Sequence, residues 1–252
     1  MDNTRITLIR ALIESQGRIS LDELVERFKD VSSMTLRRDL MRLEEEGEVL
    51  RVRGGAVSVR ELSKKTEDFI SQRAAVRIAE KKLIAEKAAS IAEPGCSLFI
   101  DSGSTSLFLV KQLPDINYTV ITNGINVALE LARKSMPSIT VLGGMLSRNN
   151  CATSGVPAMQ LLSEISIETA FMCATAFTAG GGFTCASASE SEIKKAVMKK
   201  SKRKIMLMDS SKVGKVMPYT FAAFEDIDVL VSDGNLPQDV RDAAFDLGIS
   251  IL

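Results

Sequence analysis

The chain has 252 residues, 45% of them hydrophobic and 25% charged, and its 32 Lys and Arg residues balance 32 Asp and Glu residues. This length suits about two globular domains, and the absence of histidine excludes Ser-His and Cys-His nucleophile pairs, which leaves carboxylates, lysines or a cofactor for any catalysis. Because no apolar run is long enough to cross a membrane and the N-terminus lacks a signal-peptide pattern, we expect a cytoplasmic protein.

The first fifty residues predict three helices followed by a β-hairpin. Ile6 and Ile9 begin an apolar stripe at helical spacing, and Gly17 ends that helix. Ser20 and Glu23 form a capping box that opens a short second helix.

The third helix has its own start and stop signals. Ser32 can cap it, Leu36, Leu40 and Leu43 give it one buried stripe, and Gly47 ends it. The segment EVLRVRGGAV that follows predicts a hairpin with a basic edge. This order of elements is that of a winged helix-turn-helix.

In such a domain the third helix enters the DNA major groove, and arginine bonds guanine or phosphate through two N–H groups. An alternative is that Arg37 and Arg38 pair with Asp39 or with the acidic run that follows it on a solvated helix face. We predict that eight residues of the helix and the wing contact DNA: Ser33, Met34, Thr35, Arg37, Arg38, Arg42, Arg51 and Arg53.

The motif S-x-x-T-L-R-R-D-L, from Ser32 to Leu40, and the segment LEEEGEVLRVRGGA resemble the N-terminal signature of the DeoR family of bacterial transcriptional regulators. The resemblance implies that residues 1–57 are a winged helix-turn-helix domain that binds double-stranded operator DNA. The chain departs from the family at Arg53, where the family commonly has histidine. Arginine, like histidine, provides a hydrogen-bond donor at this position.

Residues 58–75 are polar with a few apolar anchors, and we predict a linker that becomes helical. From residue 76 to residue 252, helical patterns alternate with short β-rich runs such as SLFID, YTVIT, SITVL, TAFMCA, KIMLMD and DVLVSD. This alternation predicts βαβ units, and therefore a Rossmann-like α/β domain with a mostly parallel sheet and helices on both faces.

Ligands of open parallel sheets bind at the carboxyl ends of the strands, where this sequence has polar and glycine-rich loops that we expect to converge on one rim. In the loop after SLFID, small residues permit close approach and the next helix offers free N–H groups to a phosphate. The alternatives are a simple capped turn there, and surface positions for Lys194 and Lys212. The predicted effector-binding residues are Asp101, Ser102, Gly103, Ser104, Thr105, Asn123, Gly124, Gly143, Gly144, Glu190, Lys194 and Lys212.

This region also resembles the effector domain of the DeoR family, which is similar in fold to ribose-5-phosphate isomerase, through DSGST, ITNG, LGG, GGFTCASASESEIKKA and MDSSKVGK. The resemblance implies a regulator, usually a repressor, of a carbohydrate-use operon, with a phosphorylated sugar as effector. Thr175 and Thr178 stand where the family generally has the two aspartates of G-A-D-G-I-D. Because those carboxylates would accept bonds from sugar hydroxyls, we expect a different or less polar rim.

Two other functions stay open. One is a sugar-phosphate isomerase with Glu190 or Glu192 as base, assisted by Lys194 or Asp101. The other is a DNA-binding protein whose C-terminal domain only oligomerises. We expect no cofactor. We also expect no zinc site and no disulfide framework, because the four cysteines are scattered without CxxC spacing. We also expect a homo-oligomer, a dimer or tetramer, that spaces the winged domains for repeated half-sites.

Overall fold

The computed structural model describes residues 2–46, 48–52, 54–58 and 70–252. The chain divides into two compact units, Met1–Asp68 and Phe69–Leu252. Gly47 and Arg53, together with most of the predicted linker, lie outside the described residues, so the role of Gly47 in ending the third helix and the DNA contact assigned to Arg53 stay predictions.

The described part of the first unit has the predicted order of helices and hairpin, with one additional strand. The capping box at Ser20 and Glu23 is confirmed, and the Ser32 hydroxyl accepts a bond from the Thr35 N–H. The elements are α1 (Asp2–Gln16), β1 (Arg18–Ser20), α2 (Leu21–Arg27), α3 (Ser33–Glu45), β2 (Val49–Val52) and β3 (Gly55–Ser58).

The core of this unit is a single apolar cluster to which all three helices contribute. Ile9, Leu24 and Leu36, one from each helix, are fully buried in it. A buried ion pair also joins α1 to α3, since Arg5 donates to Asp39 from Nε at 2.6 Å and from Nη2 at 3.1 Å. The orientation of α3 is therefore fixed by packing and by a bidentate polar link.

The strand β1 was not predicted from sequence, because three residues are too few to show an alternating pattern. It pairs antiparallel with β3, which makes a three-stranded sheet in the order β1-β3-β2. The approach is so close that a Cβ added to Gly55 would lie 2.2 Å from the Ile19 carbonyl oxygen. Glycine is therefore required where the wing meets β1.

The second unit alternates helices and strands as predicted and adds several short elements. Two 3-10 turns, Ser210–Lys212 and Phe224–Asp226, interrupt it. Its helices are α4 (Ile70–Ala75), α5 (Ile78–Ser90), α6 (Ser104–Gln112), α7 (Ile125–Leu131), α8 (Val156–Glu164), α9 (Ala188–Lys200) and α10 (Gln238–Asp246). Its strands are β4 (Ser97–Ile100), β5 (Thr119–Thr122), β6 (Ser138–Val141), β7 (Met145–Ser147), β8 (Ala152–Ser154), β9 (Ile167–Cys173), β10 (Ala176–Thr178), β11 (Gly182–Cys185), β12 (Ser201–Leu207), β13 (Tyr219–Ala222), β14 (Val229–Val231) and β15 (Ser250–Ile251).

Seven of these strands form one sheet in the order β15-β14-β12-β9-β4-β5-β6, and every pairing in it is parallel. The predicted parallel α/β fold is confirmed. From β4 the chain proceeds outward through β5 and β6, and it returns to the other side of β4 at β9. The strand order thus reverses between β4 and β9, and ligands of open α/β sheets bind at such a reversal.

Apolar clusters cover both faces of this sheet. Phe99 of β4 belongs to one cluster, and its neighbours Leu98 and Ile100 belong to the other. This explains why the strands read as continuous apolar runs. A second sheet, β10-β11-β13, was not predicted; its Phe177 and Phe183 rings stack at 4.6 Å within the first cluster.

Gly55→Ala should destabilise the first unit by about 2 kcal/mol or more, because the new methyl group would collide with the backbone of β1 and a packed backbone yields little. Gly180→Ala is the matched control, since a Cβ there meets nothing within 4 Å. Urea denaturation followed by far-UV circular dichroism measures both. Equal midpoints for the two variants would contradict the close contact between Gly55 and β1.

Candidate functional sites

The first candidate site is the exposed N-terminal half of α3. Leu36 and Leu40 face the core, while Ser33, Arg37 and Arg38 are exposed. Met34 is 67% exposed, and Thr35 is half-buried with its Oγ1 2.9 Å from the Ser32 hydroxyl. The amphipathic pattern of the helix therefore leaves a polar and cationic surface that a nucleic acid could contact.

Arg37 and Arg38 form no ion pair with any residue that the structure describes. Asp39, which follows them in sequence, is 5% exposed and bonded to Arg5 instead. The alternative in which Asp39 neutralises the two arginines is therefore wrong. Two adjacent guanidinium groups remain directed to solvent, where they can bind phosphate or guanine.

Two carboxylates farther along α3 form ion pairs with arginines other than Arg37 and Arg38. Glu44 accepts from Arg51 of the wing, with 2.8 Å between Nε and Oε2. Glu46 accepts from Arg42 at 3.2 Å and from Arg10 at 2.9 Å. Arg42 and Arg51 are both predicted DNA contacts, and each would have to leave an exposed ion pair, which is worth only about 0.2–1 kcal/mol.

A groove between α3 and the wing joins these features. It is lined by Arg37 and Leu40 of α3 and by Arg51 and Val52 of β2, with Gly54 at the turn. Positive charge thus stands on both elements that a winged helix-turn-helix presents to DNA.

The second candidate site is a polar pocket at the carboxyl ends of β4, β9 and β12, beside the reversal of strand order. Seven of the predicted effector-binding residues line it: Ser102, Gly103, Ser104, Thr105, Glu190, Lys194 and Lys212. Asp101 is 1% exposed and lies directly behind them through its bond to Lys194. The predicted convergence of strand-end loops therefore holds for the loops after β4 and β12.

The other two predicted loops do not line the pocket. Asn123 is buried, with its Nδ2 donating to the Thr153 carbonyl at 3.4 Å. Gly124 packs against Ser102, whose Cα would lie 2.9 Å from an added Cβ, and Gly144 lies beside the Ser154 carbonyl of β8. The loop at Asn123 supports the pocket from behind, and Gly143–Gly144 connects β6 to the β7–β8 hairpin.

The start of α6 is open toward the pocket. Gly103 occupies the N-cap position without a side-chain cap, and the N–H groups of Ser104 and Thr105 have no hydrogen-bond partner among the described residues. A Cβ on Gly103 would lie 2.5 Å from that of Cys173, so only glycine permits this approach. Free N–H groups at the positive end of a helix dipole form an anion-binding site.

Lys194 is 3% exposed, so its alternative placement at the surface is wrong. Its ammonium bonds the carboxylate of Asp101, donates to the Cys173 carbonyl at 2.8 Å and lies 3.2 Å from Glu190 Oε1. Burial by itself would lower the pKa of Lys194, but the carboxylates of Asp101 and Glu190 outweigh burial and hold that pKa above its ordinary value. The lysine is therefore charged and internally neutralised.

Sequence reasoning missed Lys81, which is 5% exposed and lines the pocket. Its ammonium donates to the carbonyls of Arg73, at 2.6 Å, and of Val76. A signal was present, because Lys81 precedes Ile84, Ala85 and Ala88 at spacings of three, four and seven residues, which is the buried stripe of α5. A lysine on that stripe is a candidate for a buried charge.

Arg73 and Asn150 are two further pocket residues that sequence reasoning missed. Arg73 Nη2 donates to Asn150 Oδ1 at 2.8 Å, and Asn150 Nδ2 donates to Glu190 Oε2 at 3.2 Å. The backbone of Ile70 is bonded to the same loop, through Asn149 O at 2.7 Å. A continuous polar network therefore runs from α4 through the β7–β8 loop to α9.

The residues that replace the family aspartates lie apart from one another. Thr175 lines the pocket, whereas Thr178 ends β10 and accepts a bond from the Gly181 N–H at 3.1 Å. Of the two carboxylates considered as a catalytic base, Glu192 is exposed and does not line the pocket. Glu190 lines it, with one oxygen near Lys194 and the other bonded to Asn150.

Two features are absent from the residues that the structure describes. No group of three or more His, Cys, Asp or Glu side chains is placed to hold a metal ion. None of the described helices is long and apolar enough to cross a membrane.

Comparisons with known proteins match both units of the chain. Residues 5–61 match the family described as "DeoR-like helix-turn-helix domain", and residues 76–234 match "DeoR C terminal sensor domain". The chain is similar to the HTH-type transcriptional regulator GolR of Listeria innocua, with 31% identity over 95% of this chain and 94% of GolR. It is similar to two Bacillus subtilis proteins, the regulator IolR at 32% identity (93% of this chain, 92% of IolR) and the transcriptional repressor GlcR at 30% (91% and 87%).

Among solved structures, the chain is similar to ribose 5 phosphate isomerase A from Neisseria gonorrhoeae, with a TM-score of 0.40 and 18% identity over 53% of this chain and 52% of that one. It is also similar to eIF2B beta from Chaetomium thermophilum, with a TM-score of 0.48 and 17% identity over 67% and 53%.

The buried thiols near the pocket should resist alkylation. Burial, followed by the charge of Asp101, raises the pKa of Cys173 to about 11, and burial with Glu190 raises the pKa of Cys185 to about 12. At pH 8 both thiols are protonated, and only the thiolate reacts. We expect iodoacetamide to label half-buried Cys151 in the native protein and all four cysteines in urea, as read by peptide mapping. Labelling of native Cys173 as fast as Cys151 would contradict this assignment.

Proposed function

Because the chain belongs to the DeoR family of transcriptional regulators, we propose that it represses a carbohydrate-use operon. We propose further that a phosphorylated sugar bound in the second unit controls its affinity for operator DNA. The observation that carries the proposal is the exposure of Arg37 and Arg38 on α3, next to carboxylates that other arginines already hold. Since a chromosomal operator is its target, we place the protein in the cytoplasm.

DNA recognition rests on charge placement, because the net charge of the chain is zero. In the proposed complex Arg37 and Arg38 enter the major groove, with Ser33 and Met34 near base edges and Arg51 on flanking phosphate. The relative GlcR is described as a transcriptional repressor, which favours repression over activation for this chain.

The chemistry of the pocket supports a phosphorylated sugar as effector. The free N–H groups of Ser104 and Thr105 and the charge of Lys212 suit the phosphate group. Asn150 and Thr175 provide amide and hydroxyl groups, and such groups bond sugar hydroxyls. The ligand therefore combines a strong anion with a polar body.

We propose that the second units associate and hold two or more winged domains at the spacing of repeated half-sites. An effector can shift this arrangement only by the difference in its affinity for the competent and incompetent states. A hundredfold weakening of operator binding corresponds to about 2.8 kcal/mol of coupling.

The proposal is tested by fluorescence anisotropy of the full chain on DNA from upstream of its own and neighbouring genes, against scrambled DNA at ~0.15 M salt, with and without a panel of sugar phosphates. We expect at least ~10³-fold preference for one native site and release by one phosphosugar. Specific binding that no member of the panel shifts would favour a domain that only oligomerises. Turnover of a phosphosugar would favour the isomerase alternative.

Arg38→Ala should weaken operator binding by about tenfold or more and lower the steepness of the salt dependence, because one charged contact to base or phosphate is lost. Arg133→Ala is the matched control, since Arg133 lies in the second unit with its side chain 77% exposed. Anisotropy titrations at several salt concentrations measure both variants. Similar losses in the two variants would contradict a specific position for Arg38 on DNA.

Ser104→Ala and Lys212→Ala should each raise the effector concentration needed for release by about tenfold, because each change removes one group that we assign to the phosphate. Ser163→Ala, a change at an exposed serine of α8, is the control. The same release assay measures all three. Unchanged release by both pocket variants would place the phosphate elsewhere.

A further inference from the structure

One 3-10 turn, Ser210–Lys212, carries Lys212 to the pocket. Asp209, the residue before the turn, caps it, because its carboxylate accepts from the Ser211 N–H at 3.1 Å and from the Ser211 hydroxyl. The Asp209 carbonyl accepts from the Lys212 N–H, also at 3.1 Å. Asp209 itself lines the pocket, so this cap belongs to the site already described.

A second aspartate, Asp233, reaches the same turn from a different strand. It follows β14, the neighbour of β12 in the sheet, and only 7% of it is exposed. Its Oδ1 accepts from the Ser210 N–H at 3.0 Å, and its Oδ2 accepts from the Ser210 hydroxyl at 2.9 Å. Asp233 does not line the pocket. Any effect of Asp233 on a ligand therefore passes through the turn.

The backbone donors of the turn are all in use. Its three N–H groups donate to the Asp233 carboxylate, the Asp209 carboxylate and the Asp209 carbonyl. The start of α6 is the reverse case, since the N–H groups there are free to bind an anion. The turn thus offers an anion no free N–H group, and its contribution to the pocket is the side chain of Lys212.

The carboxylate of Asp233 is stabilised in its charged form by neutral donors. Burial by itself would raise the pKa of Asp233, but the hydroxyl and N–H of Ser210, followed by the side chains of Ser232 and Asn235, outweigh burial and hold that pKa below its ordinary value. The Ser232 hydroxyl donates to Oδ1 at 3.1 Å. Asp233 is therefore a firm acceptor for Ser210 at neutral pH.

The loop that carries Asp233 is itself fixed from two sides. Lys87 Nζ of α5 donates to the Ser232 carbonyl at 2.9 Å. On the other side of Asp233, Arg241 Nη2 of α10 donates to the Gly234 carbonyl at 2.7 Å. Because both neighbours of Asp233 are held by helices of the second unit, its carboxylate provides a fixed support for the turn.

We propose that Asp233 is a positioning residue for effector recognition, which holds the turn so that the Lys212 ammonium faces the bound anion. A lysine on a fixed turn loses less conformational freedom on binding than a lysine on a loose one, and the affinity rises accordingly. The inference rests on the proposed function in one respect, namely that Lys212 binds the phosphate group. It adds a residue outside the pocket on which that contact depends.

The test uses the full chain with inorganic phosphate as the probe. Hydrogen exchange of the peptide 101–106 reports occupancy of the pocket, and that of the peptide 209–214 reports the turn. Asp233→Asn keeps the shape of the side chain but replaces one acceptor oxygen by an amide group that donates. Asp239→Asn, the same change at an exposed position of α10, is the matched control.

Without phosphate, Asp233→Asn should speed exchange in 209–214 by about fivefold or more and leave 101–106 unchanged. Protection of 101–106 should then require at least ~10-fold more phosphate than in wild type. Ser210→Ala removes one of the two bonds between Ser210 and Asp233 and should raise the requirement by about threefold. Asp239→Asn should match wild type in both peptides.

A double-mutant cycle separates positioning from a general loss of stability. Adding Asp233→Asn to Lys212→Ala should change the phosphate requirement by less than about twofold, because the turn then has no ammonium to position. Adding Asp233→Asn to Ser104→Ala should still raise the requirement by ~10-fold, because the two act on different contacts. A purely structural role would raise the requirement equally in both backgrounds.

Independent, additive losses in Asp233→Asn and Lys212→Ala would overturn the inference while leaving the proposed effector site intact. Unchanged exchange in 209–214, or an unchanged phosphate requirement, would do the same. If Asp233→Asn does not fold, Ser210→Ala takes its place in the cycle, and additivity with Lys212→Ala is again the contrary result. Absence of protection of 101–106 in wild type at any phosphate concentration would overturn both the inference and the proposed anionic effector.

Discussion

The second unit depends on the buried ion pair between Lys194 and Asp101. Two charges removed from water are tolerated only when each is well bonded. Lys194 meets this condition through Asp101, Glu190 and the Cys173 carbonyl, and Asp101 accepts bonds from the N–H groups of Cys173 and Ser102, both at 2.9 Å. These bonds join the ends of β4 and β9 to α9 at the reversal of strand order. The pocket is lined by the loops that follow these strands, and the ion pair holds those loops to α9.

Both candidate sites contain cationic side chains whose neighbouring carboxylates are paired with other residues. On α3, other arginines hold Asp39 and Glu44, and Arg37 and Arg38 are left exposed. In the pocket, carboxylates neutralise Lys194, whereas Lys81 donates to backbone carbonyls and forms no ion pair with the residues that the structure describes. A chain with no net charge thus presents local positive potential at two places. Net charge describes solubility, whereas the position of each carboxylate decides where an anion can bind.

Structural features that depend on a repeating pattern or on neighbouring residues can be predicted from the sequence. Features that depend on contacts between distant parts of the chain cannot. The apolar stripe of α3 and the capping box at Ser20 and Glu23 act within one helix, and the alternation of long segments predicts the parallel sheet. Strand β1 and the strands of the sheet β10-β11-β13 have only three or four residues each. They form because they pair with other strands, and no local sequence pattern marks them. Gly143–Gly144 follows the end of β6 as predicted, but it leads into the β7–β8 hairpin and does not line the pocket. Asn150 joins the pocket from that hairpin, and no local pattern indicates it.

The order of strands also has a consequence for the time at which each site can form during synthesis. The bond between Asp101 and the backbone of Cys173 spans 72 residues, and closing such a long loop carries an entropic cost that delays its formation. The first unit, by contrast, is assembled from contacts among its own residues and leaves the ribosome first. A chain interrupted before β9 would therefore carry the first unit, with the surface proposed to contact DNA, and lack half of the pocket. Nonsense mutations or proteolysis in the second half of the chain are then expected to leave fragments that contain the first unit and cannot form the complete pocket.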